Sequence, residues 1–116
     1  MPVLYHNPRC SKSRQALSLC EESNLDVDIH LYLKDSLSYN TLKSLLERLA
    51  GDVRTSVRIN DKKFKLADTS ELNFDDISSI ALFLSNNGEL MERPWYDSGI
   101  ETVIGRPIAQ LARYIQ

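Results

Sequence analysis

Residues 27–33, V-D-I-H-L-Y-L, alternate side by side along one strand length: Val27, Ile29, Leu31 and Leu33 fall on one face, Asp28, His30 and Tyr32 on the other. This alternation predicts a half-buried β-strand. Upstream, residues 2–5 form a short apolar stretch ended by Asn7-Pro8. From Ser11 to about Ser23, Ala16, Leu17 and Cys20 share one helical face with Leu19 beside it. Strand, helix and strand within about thirty residues imply a right-handed βαβ unit. That unit is the frame for the rest of the chain.

Beyond it, Ser38 can cap a helix in which Leu42, Leu45, Leu46 and Leu49 keep helical spacing until Gly51 stops it. Residues 52–87 carry no clear strand. Asp75 and Asp76 suit the first turn of another helix, with Ile77, Ile80, Ala81 and Leu84 as its buried face and Asn87-Gly88 as its end. Glu89 to Arg93 is expected to form a brief strand running into Pro94. Gly99 to Gly105 is expected as a second strand, with Ile100, Thr102 and Ile104 alternating against Glu101 and Val103. Pro107 suits the first position of a closing helix over 107–115, whose Ile108, Leu111, Ala112 and Ile115 face inward. The order β-α-β, helical middle, β-β-α is that of an α/β, thioredoxin-like domain with a helical insertion between its halves, occupying residues 1–116 as one unit.

Composition narrows the functional classes. At 116 residues, with 42% apolar and 26% charged side chains, the chain is an ordinary globular domain that needs no metal or disulfide staple. Its net charge of −2 argues against a nucleic-acid binder. No apolar run approaches the ~20 residues of a membrane span. The start lacks the basic-then-apolar order of a secretory signal, which points to the cytoplasm. Cys10 and Cys20 are too few for a disulfide framework or a four-ligand zinc site, so no metal or bound cofactor is expected. Nothing points to a partner surface, and a monomer is the default expectation.

Charge is nevertheless uneven. Residues 9–14 contain Arg9, Lys12 and Arg14 and no acid, around Cys10. Cys10 lies just before a predicted helix, where free N–H groups and the helix dipole favour negative charge. Both features stabilise a thiolate, and both attract an oxyanion. Ser11 and Ser13 can add hydroxyl donors, and His6 could support the thiolate if its ring turns toward the loop. The competing reading is an incidental thiol at a turn, with His6 a plain strand-end residue. Cys20, on the apolar helix face, reads as a small core residue, and His30 is assigned no function.

The residues after Cys10 are Ser-Lys-Ser, so the resolving thiol of a C-x-x-C oxidoreductase is missing and any disulfide chemistry needs an external thiol. The phosphatase-type C-x5-R loop is also absent, because Arg14 follows after three residues. Anion clamping must then come from elsewhere. "VRTSVRIN" supplies Arg54 and Arg58, "MERPW" Arg93, and "IGRPI" Arg106. The planar guanidinium suits tetrahedral oxyanions through paired hydrogen bonds. Each of these alone reads as a surface arginine; a thioredoxin-like layout would let Arg93 and Arg106 converge on Cys10.

Taken together, the motifs resemble the glutaredoxin-dependent arsenate reductase (ArsC) family across nearly the whole chain. "YHNPRCSKSR" is similar to its Y-H-N-P-x-C-x-x-S-R signature, "VRTSVRIN" to V-R-x-x-x-R-x-N, and "RPW" and "GRPI" to its two R-P pairs. The resemblance implies Cys10 as nucleophile and Arg58, Arg93 and Arg106 as oxyanion-binding arginines. It further implies that His6 helps to keep Cys10 ionised, that Ser13 and Arg14 complete the loop, and that Pro94 is the cis proline of the fold. Arsenate would be the substrate, with glutathione as co-substrate and glutaredoxin as partner. Ser11-Lys12 replaces the family's usual Gly-Thr, so Lys12 adds charge at the anion site, and the chain's end just after the last helix suggests a short branch. Two other classes compete: a glutathione-linked thiol-disulfide redox protein, and an Spx-like regulatory interaction protein without arsenate activity. The missing C-x-x-C disfavours a redox-switch regulator, and the three anion-suited arginines favour the reductase.

Overall fold

A computed structural model describes residues 2–115. Four short strands, β1 (Val3–Tyr5), β2 (Asp28–His30), β3 (Trp95–Asp97) and β4 (Thr102–Ile104), form one sheet in the order β2-β1-β3-β4. β1 and β2 run parallel; β3 lies antiparallel to both β1 and β4. Five helices accompany it: α1 (Ser11–Glu22), α2 (Tyr39–Glu47), α3 (Lys62–Leu66), α4 (Ile77–Asn86) and α5 (Ile108–Ile115). Two 3-10 turns lie at Val53–Ser56 and Gly88–Leu90. This is the thioredoxin-like α/β architecture expected from the element order, with α2, α3 and α4 between its halves.

Strand alternation builds two cores on opposite faces of the sheet. Leu4 and Tyr96 point to one face, where Ala16 of α1 and Leu111 of α5 complete a small cluster. Tyr5, Trp95 and Ile104 point to the other and merge with Leu42, Leu45 and Leu46 of α2 and Ile80, Ala81 and Leu84 of α4. The cap expected at Ser38 forms, and Asp76, expected in the first turn of its helix, is instead its N-cap residue. Ser38 Oγ accepts from the Thr41 N–H at 3.2 Å, and Asp76 Oδ1 from the Ser78 N–H at 3.0 Å. At the end of α1, Asn24 adopts the left-handed conformation (φ 54) while the Leu25 N–H bonds the Cys20 carbonyl at 3.0 Å.

Several boundaries differ from the sequence expectation. The alternation over 27–33 mispredicts burial: Ile29 and Leu33 are 42% and 49% exposed, and Tyr32 only 3%. β2 is an edge strand that ends at His30, and the N–H groups of Lys34 and Asp35 both turn back to the Leu31 carbonyl. Past His30 the two-residue period no longer applies, and Tyr32 enters the larger core. No strand forms at Glu89–Arg93: Gly88–Leu90 is a 3-10 turn and Met91 makes only an isolated bridge to Val57. The central strand starts at Trp95, just past Pro94, which has no N–H to give the ladder. β4 is shorter than Gly99–Gly105: Ser98 to Glu101 forms a tight turn with Gly99 at φ +97, leaving Ile100 82% exposed. Thr102, Val103 and Ile104 are all buried, since both faces of the sheet are covered. Leu49 lies past the end of α2, in an isolated bridge to Thr102 that covers the β4 edge. The short α3, capped by Asp61, had no recognised sequence signal.

Candidate active site

Cys10 is the N-cap residue of α1, in extended conformation (φ −98, ψ 123) and 7% exposed. The preceding loop is held by its own polar atoms. The Cys10 N–H donates to the Asn7 carbonyl at 3.0 Å, closing a turn over Pro8. The Arg9 N–H donates to Asn7 Oδ1 at 3.0 Å. Arg14 Nη1 reaches back to the Pro8 carbonyl at 2.8 Å, so this arginine clasps the loop. Ser13, fully buried, takes the Asn7 N–H on its Oγ at 3.0 Å and lies 2.6 Å from His6 Nδ1. The His6 ring thus fixes the helix start through Ser13. Burial, with Arg14 nearby, pushes its pKa down, so it is neutral near pH 7. Ser11 and Lys12 are exposed.

An N-cap side chain ordinarily accepts hydrogen bonds from the second and third N–H groups of its helix. Here those belong to Lys12 and Ser13. The neutral Cys10 thiol forms no cap bond of strict geometry, but a thiolate would be a good acceptor in the same place. Burial alone would raise the Cys10 pKa. The Ser13 N–H, the charge of Arg93, the Lys12 N–H and a hydrogen bond from Arg93 outweigh it, and the pKa is lowered. Cys20 is the opposite case: fully buried on the apolar face of α1, with its thiol pushed up by burial and by Glu21.

Strand register explains why distant arginines meet. Tyr5 pairs with Trp95 in antiparallel fashion, so the loop after β1 runs beside Arg93-Pro94. Trp95 pairs with Ile104, which sets Pro94 opposite Gly105 and Arg93 opposite Arg106. The Gly105 N–H donates to the Pro94 carbonyl at 2.9 Å, and a Cβ on Gly105 would meet Pro94 Cγ at 3.1 Å. The Arg93–Pro94 and Arg106–Pro107 peptide bonds are both cis. A second short pairing, Val57 with Met91, adds Arg58, whose N–H bonds the Leu90 carbonyl at 2.8 Å.

Arg58, Arg93 and Arg106 accordingly line one open groove of about 660 Å³, together with Arg54, Asn60, Asp61 and Glu92. Arg58 is braced by the Glu89 carbonyl at 3.0 Å and by Asp61 at 2.7 Å. Arg106 reaches Glu92 Oε1 at 2.8 Å and Arg93 reaches the same oxygen at 3.2 Å. Arg93 Nε is buried without an acceptor among the described residues. Arg54 pairs instead with Asp75. Cys10 does not itself line this groove; Arg93, which lowers the Cys10 pKa, is the residue that links the two. A separate hollow of about 470 Å³, lined by Asp68, Ser70, Glu71 and Asn86 among others, has no cation in its lining. Among the described residues, no group of three or more His, Cys, Asp or Glu could hold a metal ion, and no helix is long and apolar enough to cross a membrane.

Sequence reasoning missed Tyr32, Glu92 and Asp61. Tyr32 lies within the field of Cys10, Arg93 and Arg58, and burial foremost pushes its pKa up to about 12, which keeps it a protonated donor. Its aromatic bulk was the one available signal. For Glu92 and Asp61 there was none, since an acid beside an arginine is common on any surface.

Comparison with known proteins agrees with this architecture. The ArsC family model matches residues 5–114. The arsenate reductase of Haemophilus influenzae is 39% identical over 108 residues, 90% of either chain. The Escherichia coli K12 protein YfgD is 36% identical over 117 residues, covering 97% of this chain and 94% of its own. The solved arsenate reductase of Vibrio cholerae superposes with a TM-score of 0.83 at 30% identity, over 99% of this chain and 97% of that one. Matched in sequence and in backbone over nearly its whole length, the chain belongs to the ArsC family.

Proposed function

We propose that the protein reduces arsenate to arsenite through a Cys10 thiolate–arsenate adduct, drawing its reducing equivalents from glutathione and glutaredoxin. The observation that supports this most is the position of Arg93: it belongs to the three-arginine groove and also stabilises the Cys10 thiolate. One residue therefore couples an anion-attracting surface to a nucleophile. The names of the relatives support the choice of arsenic as the central atom.

In this reading Cys10 Sγ attacks As(V) and hydroxide leaves, with Arg58, Arg93 and Arg106 neutralising the oxyanion. His6 and Ser13 hold the α1 N-terminus in place, Arg14 clasps the loop, and exposed Lys12 adds positive potential at its rim. A glutathione thiol then displaces a second hydroxyl on arsenic. A glutaredoxin thiolate takes the glutathionyl group as a mixed disulfide, and the sulfur–arsenic electron pair returns to arsenic, giving As(III). Water releases arsenite and restores the Cys10 thiol. The external thiols replace the C-x-x-C that this chain lacks. The reaction is placed in the cytoplasm, where glutathione is abundant, and is carried out by a monomer.

The test is arsenate-dependent NADPH oxidation coupled through glutathione reductase, glutathione and glutaredoxin. Wild type is expected to turn over and Cys10→Ser to be inactive yet folded, since serine is itself a good N-cap. Turnover surviving in Cys10→Ser, or absent from wild type, would refute the proposal.

A further inference from the structure

The groove that gathers the arginines also carries its own anion between two of them. Glu92 Oε1 accepts from Arg106 Nη1 at 2.8 Å, from Arg93 Nη1 at 3.2 Å and from the Arg93 N–H at 3.3 Å. The three side chains are largely shielded, with exposures of 21% for Glu92, 16% for Arg93 and 33% for Arg106. The backbone of Glu92 is anchored by its N–H to the Ser56 carbonyl at 2.8 Å, so moving the carboxylate aside requires only side-chain rotation. Glu92 also does not saturate its partners, because Arg93 Nε remains buried without an acceptor.

We propose that Glu92 determines the specificity of the anion site. Its carboxylate is a resident competitor: it holds Arg93 and Arg106 in position and must be displaced from them by the incoming ion. A monovalent carboxylate offers the two guanidinium groups no more than Glu92 already does. A divalent tetrahedral oxyanion offers more charge, and more acceptor oxygens than Glu92 presents, including one for Arg93 Nε. This inference rests on reading the groove as an oxyanion site and adds the residue that sets its threshold.

Isothermal titration of the purified protein with inorganic phosphate, with arsenate and with acetate tests it directly, without reference to turnover. Glu92→Gln keeps the size and the accepting oxygen but removes the charge. It is expected to bind phosphate and arsenate about tenfold more tightly than wild type, about 1.4 kcal/mol, and to gain acetate binding that wild type lacks. Glu92→Asp, whose carboxylate is drawn back by one methylene, is expected to fall between the two. If Glu92→Gln does not fold, as judged by its melting curve, Glu92→Asp carries the comparison. Unchanged or weaker anion binding in a folded variant, or no binding in any form of the protein, overturns the inference. Tighter binding in Glu92→Gln alongside no arsenate turnover by wild type would leave this inference standing and overturn the proposed reaction. Turnover by wild type with no gain in the variant would do the reverse.

Discussion

Cys10 caps its helix poorly as a thiol and well as a thiolate, so its chemistry and its structural place are one property. The pKa lowering is the outcome of burial opposed by two backbone N–H groups and Arg93. The alkylation rate of Cys10 should therefore reach half its maximum below the ordinary thiol value of about 8.5. Arg93→Gln should move that midpoint upward, as read from iodoacetamide rates against pH. An unmoved midpoint would detach Arg93 from the nucleophile. His6 makes a prediction of opposite kind. Its pKa is lowered in the native state, so on acidification the unfolded chain takes up this proton first. Stability should fall as pH drops through the ordinary histidine range near 6.5. His6→Asn, which can keep a polar atom near Ser13 without titrating, should lose that part of the slope in urea unfolding measured at successive pH values.

At the scale of elements, α2, α3 and α4 begin where an oxygen of Ser38, Asp61 or Asp76 accepts from an early helical N–H, and β3 begins just after Pro94. Ser38 was legible as a cap because capping is local chemistry, decided within three residues of chain, whereas Asp76, expected inside the first turn, is the cap itself. Replacing Ser38 by alanine should cost about 1 kcal/mol of stability, read as a lower urea midpoint, with Cys10 alkylation unaffected since α2 does not carry the site. The strands were less legible. β3 and β4 are three residues each and buried on both faces, so they show no alternation to detect. β2 shows alternation that continues past its actual end, which is why Tyr32 was assigned to the wrong side.

Across the whole molecule, the larger core joins sheet residues Tyr5, Trp95 and Ile104 to the helices of the insertion without a break. The single tryptophan, fully buried, sits within it. Unfolding followed by Trp95 fluorescence and by helical circular dichroism should therefore give coincident transitions; an earlier loss of helix signal would mean that the insertion is a separate unit. Sequence alone determined the βαβ start, the main helices α2, α4 and α5, the Ser38 cap and the nucleophile candidate, because each depends on neighbours a few residues apart. It also named Arg58, Arg93 and Arg106 as a set, through the motifs in which they occur. Only the tertiary structure decided that the three line one groove, because that follows from the pairings of Trp95 with Ile104 and of Val57 with Met91. The same pairings brought Glu92 between Arg93 and Arg106, a contact between side chains fourteen residues apart in one case and adjacent in the other. Charge pairing of that kind depends on register, and register is settled only when both faces of the sheet are packed.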